Sequence, residues 1–101
     1  MKAERVAYLT AAVNLTPAEA EKFWPVYNNM ERERRASLGK VMKAYKALDE
    51  GIKAGKTEKE ISVLLNNYVN AIKDSRSVEA KYVPMFTKIL SVEKVAKLFI
   101  G

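Results

Sequence analysis

Cysteine and histidine are both missing from this 101-residue chain. Without them there is no disulfide, no thiolate nucleophile and no thiolate zinc site, and the side chain that most often moves protons near neutral pH is gone. Glycine, at 4 residues, and proline, at 3, are scarce. The signals that cut a chain into many short elements are scarce with them, so long helices are the expectation. No apolar run approaches the ~20 residues of a bilayer crossing. Strict apolar–polar alternation, the mark of a half-buried strand, is absent as well. What is present is 49% hydrophobic and 30% charged residues, the composition of one folded domain rather than a disordered tail.

The net charge is +6, which raises the question of a nucleic-acid partner. A phosphate-binding stripe concentrates its cations and sheds its acids. Here the excess is spread along the chain, and its densest group, Arg32, Arg34 and Arg35, is interleaved with Glu31 and Glu33. Solvated helix surface is the better reading, and no nucleic-acid partner is expected.

Start and stop signals divide the chain into four helices, an all-α fold read as a single domain over residues 1–101. Val6, Leu9 and Val13 share one side of a short helix over residues 2–13. Thr16, Pro17 and Glu19 are a strong helix start, with a cap, a first-turn proline and a capping-box acid. From there an apolar stripe of Phe23, Tyr27, Met30, Leu38, Val41, Tyr45, Leu48 and Ile52 predicts a long helix over residues 17–50, stopped by Gly51 and Gly55. Thr57 with Glu60 opens a second long helix over residues 58–90, and Ser91 caps a short last one over residues 92–100.

A helix of ~33 residues is about 50 Å long, far beyond the ~13 Å radius of gyration of a compact chain this size. The two long helices are therefore expected to form an elongated antiparallel hairpin turning at Lys53 and Ala54. That turn puts Pro25 and Pro84 at one level, where they kink both arms or end each helix early. It also sets Arg34 opposite Lys73 and Asp74, and either an Arg34–Asp74 pair or Arg34 reaching to solvent along its aliphatic stem is expected. Trp24, Val26, Met42, Leu65, Val69 and Met85 widen the apolar faces. The terminal helices folding back, together with a second copy of the chain, are expected to cover them.

Two segments share a frame. Leu15-Thr16-Pro17-Ala18-Glu19-Ala20-Glu21-Lys22-Phe23-Trp24-Pro25-Val26-Tyr27 is echoed by Leu90-Ser91-Val92-Glu93-Lys94-Val95-Ala96-Lys97-Leu98-Phe99: a leucine, a hydroxyl cap, then a lysine followed by two large apolar residues. The pair resembles the LTxxQ-motif (Spy/CpxP-like) family of small secreted bacterial proteins. The first segment is similar to the group known as sensors of ECF-type sigma factors or heavy-metal-resistance-like proteins. The resemblance implies a bent helical hairpin paired into a cradle-shaped homodimer in the periplasm. It also implies ATP-independent binding of unfolded or aggregation-prone proteins, or signalling of envelope stress to a regulator. Leu15, Thr16 and Pro17 match the first motif and Leu90 and Ser91 the second, while the motif's glutamine is replaced by Glu19 and by Lys94. Relatives that bind zinc are rich in histidine, so no metal and no cofactor is expected here. Met1-Lys2-Ala3-Glu4 leads into an amphipathic helix with no apolar h-region. A periplasmic chain then starts after a removed signal, and the end at Ile100-Gly101 also reads as trimmed.

No catalytic role is expected. Asp49 with Glu50, the nearest thing to a carboxylate pair, sits at a helix end, and no relay of nucleophile, acid and base accompanies it. The aromatic group Phe23, Trp24 and Tyr27 has two readings. It is either a core cluster closing the base of the hairpin or, with the adaptable side chains of Met30, Met42 and Met85, a surface that accepts a client or a regulatory partner.

Overall fold

The computed structural model describes residues 2–100, and its helices run α1 Lys2–Val13, α2 Pro17–Lys53, α3 Glu58–Thr87 and α4 Val92–Ile100. The fold is all-α, a long α2–α3 hairpin with short terminal helices, and no strand occurs among the described residues. Met1 and Gly101, the ends on which the reading of a trimmed chain rests, lie outside the described residues.

Local chemistry sets the helix ends. Asn14, with φ at 61°, terminates α1 in the left-handed conformation, and the Leu15 amide returns to the Thr10 carbonyl at 3.1 Å. At the start of α2 the Glu19 amide donates to Thr16 Oγ1 at 3.2 Å, while the Thr16 amide donates to Glu19 Oε1 at 3.0 Å. These are the two halves of a capping box. Thr57 and Glu60 repeat it at α3, and Ser91 Oγ accepts the Lys94 amide at α4.

The end of α2 departs from expectation. Gly51 does not stop the helix; it lies within it, buried, where an added Cβ would come 2.6 Å from Leu64 Cδ1. It is a close-approach glycine. The stop is Gly55, with φ at +70°, whose amide donates to the Ile52 carbonyl while the Lys56 amide reaches Gly51, a Schellman closure. With α2 running on to Lys53, the turn is centred past Lys53–Ala54 and the register moves. Arg34 pairs with Glu79 at 3.1 Å and with Glu31 at 2.8 Å, not with Asp74. At the other end α3 closes at Thr87 rather than at residue 90, with the Leu90 amide bonded to the Phe86 carbonyl. That early close frees Leu90 to precede the Ser91 cap.

Neither proline ends a helix; α2 continues through Pro25 and α3 through Pro84. Phe23 and Phe86, each two residues from a proline, have ring centroids 5.4 Å apart, which sets the prolines at one level of the antiparallel pair.

The chain divides into two compact units, a terminal unit of Met1–Asn29 with Ala80–Gly101, and a hairpin unit of Met30–Glu79. In the terminal unit α1 packs on α4, and the core holds Leu9, Val13, Leu15, Phe23, Tyr27, Tyr82, Phe86, Leu90, Val95 and Leu98. Its centre is aromatic. Phe23 stacks on Tyr27 at 5.4 Å and leans on Phe86, which is flanked by Tyr82 and Phe99. This is the core-cluster reading of the aromatic group, with the terminal helices closing over it.

The hairpin unit is built differently. Buried or half-buried side chains recur at Met30, Ser37, Val41, Ala44, Leu48 and Gly51 on α2 and at Ile61, Leu64, Tyr68, Ala71, Ser75 and Val78 on α3. The spacing of three and four is that of an antiparallel coiled-coil seam, with Arg34 in one of its positions. Serine, alanine and glycine in the seam bring the two backbones close but enclose little. Among the described residues of this unit only Met30, Gly51 and Val78 are buried.

Candidate functional site

Three places in the molecule carry features beyond packing. The first is the junction of the two repeated frames in the terminal unit. Glu19 and Lys94 hold equivalent positions, each three residues after a capping hydroxyl, and Lys94 Nζ meets Glu19 Oε1 at 2.5 Å. The same ammonium donates to the Asn14 carbonyl at 2.8 Å. One lysine thus joins the end of α1, the start of α2 and the start of α4. The Glu19 carboxyl is held below its ordinary value, first by the hydrogen bond from Lys94 and then by that from the Thr16 amide. Glu60, in the isolated capping box of α3, is lowered by Thr57 alone among its hydrogen-bond partners. The motif residues around this junction are structural: Leu15 and Leu90 are buried, Thr16 and Ser91 are caps, and Pro17 fills the first helical position. What sequence reasoning missed is the pairing itself. The signal was there in the opposite charges that the two repeated frames carry at equivalent positions.

The second place is an open groove of about 430 Å³ in the terminal unit, lined by Val6, Trp24 and Tyr27 with Arg5 and Asn28. Trp24 is half-buried, set edge-on against Phe23 at 4.8 Å and Tyr27 at 5.5 Å, so its ring is fixed by the core beneath it.

The third place is one face of the hairpin unit. In an antiparallel coiled coil the positions just after the second seam residue of each heptad lie on one side of both helices. Leu38, Tyr45 and Ile52 hold that position on α2, and Leu65 and Ile72 hold it on α3. The opposite side carries Lys40, Asn67, Asn70 and Asp74 from both arms, together with the small side chains of Ala44, Ala47 and Ala71. Tyr45 and Tyr68 meet across the arms at 5.9 Å. The hairpin therefore has a polar side and an apolar side. Leu38, Met42, Tyr45, Ile52, Leu65 and Val69, all on the apolar side, are each 48–60% exposed.

The six residues expected on a client surface separate accordingly. Phe23, Tyr27 and Met30 are buried, at 0%, 7% and 2% exposure, and present almost nothing to a partner. Trp24 lines the groove of the terminal unit, and Met85 is exposed in that unit. Met42 lies on the apolar side of the hairpin unit. Asp49 and Glu50 sit in the last turns of α2, with Asp49 ion-paired to Lys53 at 2.9 Å.

No helix among the described residues is long and apolar enough to cross a membrane. Comparison with protein-family models, with curated proteins and with solved structures finds no match to this chain.

Proposed function

We propose that this chain is a non-catalytic protein-binding module that holds unfolded or aggregation-prone polypeptides without ATP, in the bacterial periplasm and under envelope stress. The observation that carries the reading is the row of half-exposed apolar side chains along one side of the hairpin unit, from Leu38 to Ile52 and from Leu65 to Val69. Folded chains rarely leave so continuous an apolar strip to water unless it meets another surface. Met42 adds an adaptable contact there. The Trp24 groove in the terminal unit adds a second apolar surface. The resemblance to the LTxxQ-motif family supports the stress role, the location and a homodimer. Sedimentation at tens of micromolar tests the dimer, and a monomer at that concentration overturns it.

The direct test of binding is light scattering during aggregation of a chemically unfolded client at equimolar ratio, with the wild-type chain and with Trp24→Ala. Suppression by the wild type is the expected result. Weaker suppression by Trp24→Ala adds the groove to the client surface, whereas equal suppression assigns binding to the hairpin. Absence of suppression in both overturns the reading.

One observation favours a second reading, a regulatory module that docks on a single envelope partner. The apolar side of the hairpin repeats at seven residues, Leu38, Tyr45 and Ile52, a regularity that loose holding of many clients does not need. A single saturable partner recovered from envelope extract supports it.

A further inference from the structure

We infer that the apolar side of the hairpin unit is a groove for one amphipathic helix of a partner protein, about four turns long and acidic along its flanks. This rests on the protein-binding reading and names the partner's chemistry. Three observations converge on it.

The first is period. Leu38, Tyr45 and Ile52 stand seven residues apart on α2, and Leu65 and Ile72 stand seven apart on α3, all beside the seam that already pairs the two arms. Two such rows flanking a coiled-coil seam are the holes that a third helix fills with its knobs. A lipid surface needs apolar area but no register. The second is length. Leu38 to Ile52 covers ~21 Å of helix, about four turns, which sets the span of the partner helix.

The third is charge. Arg35 and Lys46 flank the strip on α2, and Lys73 and Arg76 flank it on α3. The acids on the same side are mostly engaged: Asp49 with Lys53, and Glu31 and Glu79 with Arg34, leaving Glu58 in the first turn of α3. The field over the strip is positive, so acidic flanks on the incoming helix are attracted to it. A second copy of this chain would bring the same cations against one another, which disfavours self-pairing through this side.

The test is fluorescence anisotropy with a labelled designed helical peptide of about 18 residues, leucine on its apolar face and glutamate on its flanks. Its control carries lysine on the flanks. Saturable binding of the glutamate peptide is expected, weakened by added salt, with the lysine peptide at least about tenfold weaker. The double variant Met42→Glu with Val69→Glu changes two exposed side chains and keeps its helical circular dichroism; it weakens the glutamate peptide by about tenfold or more. Equal binding of both peptides, no binding, or binding untouched by the double variant overturns the proposal. Two further results overturn it by naming another occupant. Binding to phosphatidylglycerol vesicles that the double variant abolishes identifies a lipid surface, and self-association that it abolishes identifies a second copy. Aggregation suppression measured on the same proteins separates the two levels. Suppression without peptide binding removes the helix partner alone, and loss of both removes the protein-binding reading as well.

Discussion

Glu19 and Lys94 occupy the same place in two helix starts, three residues after Thr16 and three after Ser91, and their side chains meet at 2.5 Å. A capping box normally needs an acid or amide at this place to reach back to its own cap. Glu19 does so, and Lys94 cannot. It turns instead to the other frame, taking Glu19 and the Asn14 carbonyl as its acceptors. The second frame has given up its own reciprocal cap for a cross-link between sequence positions 75 apart.

Removal of that cross-link destabilises the terminal unit. Lys94→Met lowers the midpoint of thermal unfolding by about 2–4 °C, and the same change made in a Glu19→Gln background has a much smaller effect. Circular dichroism of the four proteins measures the coupling. Additive effects would show that the two groups do not support one another.

The junction also gives stability a pH dependence of known sign. The Glu19 carboxyl is lowered in the folded chain from an ordinary value of 4.5. The folded state therefore favours the ionised form, and the stabilisation is complete above the unfolded value and lost as pH falls below it through the folded one. Unfolding in urea followed from pH 6 to pH 3 is expected to show a smaller acid-induced loss for Lys94→Met than for the wild type. Parallel curves would contradict this.

Three glycines distinguish three backbone roles. Gly39 faces open space inside α2, so Gly39→Ala stabilises by about 0.5–1 kcal/mol through helix propensity. Gly51 closely approaches the Leu64 side chain, and Gly51→Leu costs about 1–3 kcal/mol by displacing that side chain and overfilling the seam. Gly55 needs its positive φ, and Gly55→Ala costs about 1 kcal/mol. Urea unfolding of the three variants checks the order.

Buried and exposed neighbours in α3 make a further contrast. Phe86 is fully buried and Met85 is 42% exposed. Phe86→Ala is expected to cost about 3–5 kcal/mol, and Met85→Ala to stay within about 0.5 kcal/mol of the wild type. Similar losses for both would mean that the terminal unit does not pack as described.

These cases also mark what the sequence reveals unaided. Helix starts at Pro17, Glu58 and Val92 were legible because Thr16, Thr57 and Ser91 act on amides within one turn of themselves. The end of α2 was not, because Gly51 answers to Leu64, which is distant in sequence. The seam was misread for a related reason. An apolar stripe favours Leu38, Tyr45 and Ile52, whereas the arms pair through Ser37, Ala44 and Gly51, whose value is small size rather than hydrophobicity. Val41 and Leu48 of that stripe lie in the seam, and Leu38, Tyr45 and Ile52 turn to the outer side. The hairpin face was legible in part, through Met42, Leu65 and Val69, whereas the seven-residue row of Leu38, Tyr45 and Ile52 reads as seam until the small residues beside it are counted.

The most direct measurement is suppression of client aggregation, followed by light scattering at equimolar ratio, for the wild type and for Met42→Glu with Val69→Glu. Binding through the hairpin predicts clear suppression by the wild type and its loss in the folded double variant. Suppression that survives both substitutions, or none from the wild type, would contradict it.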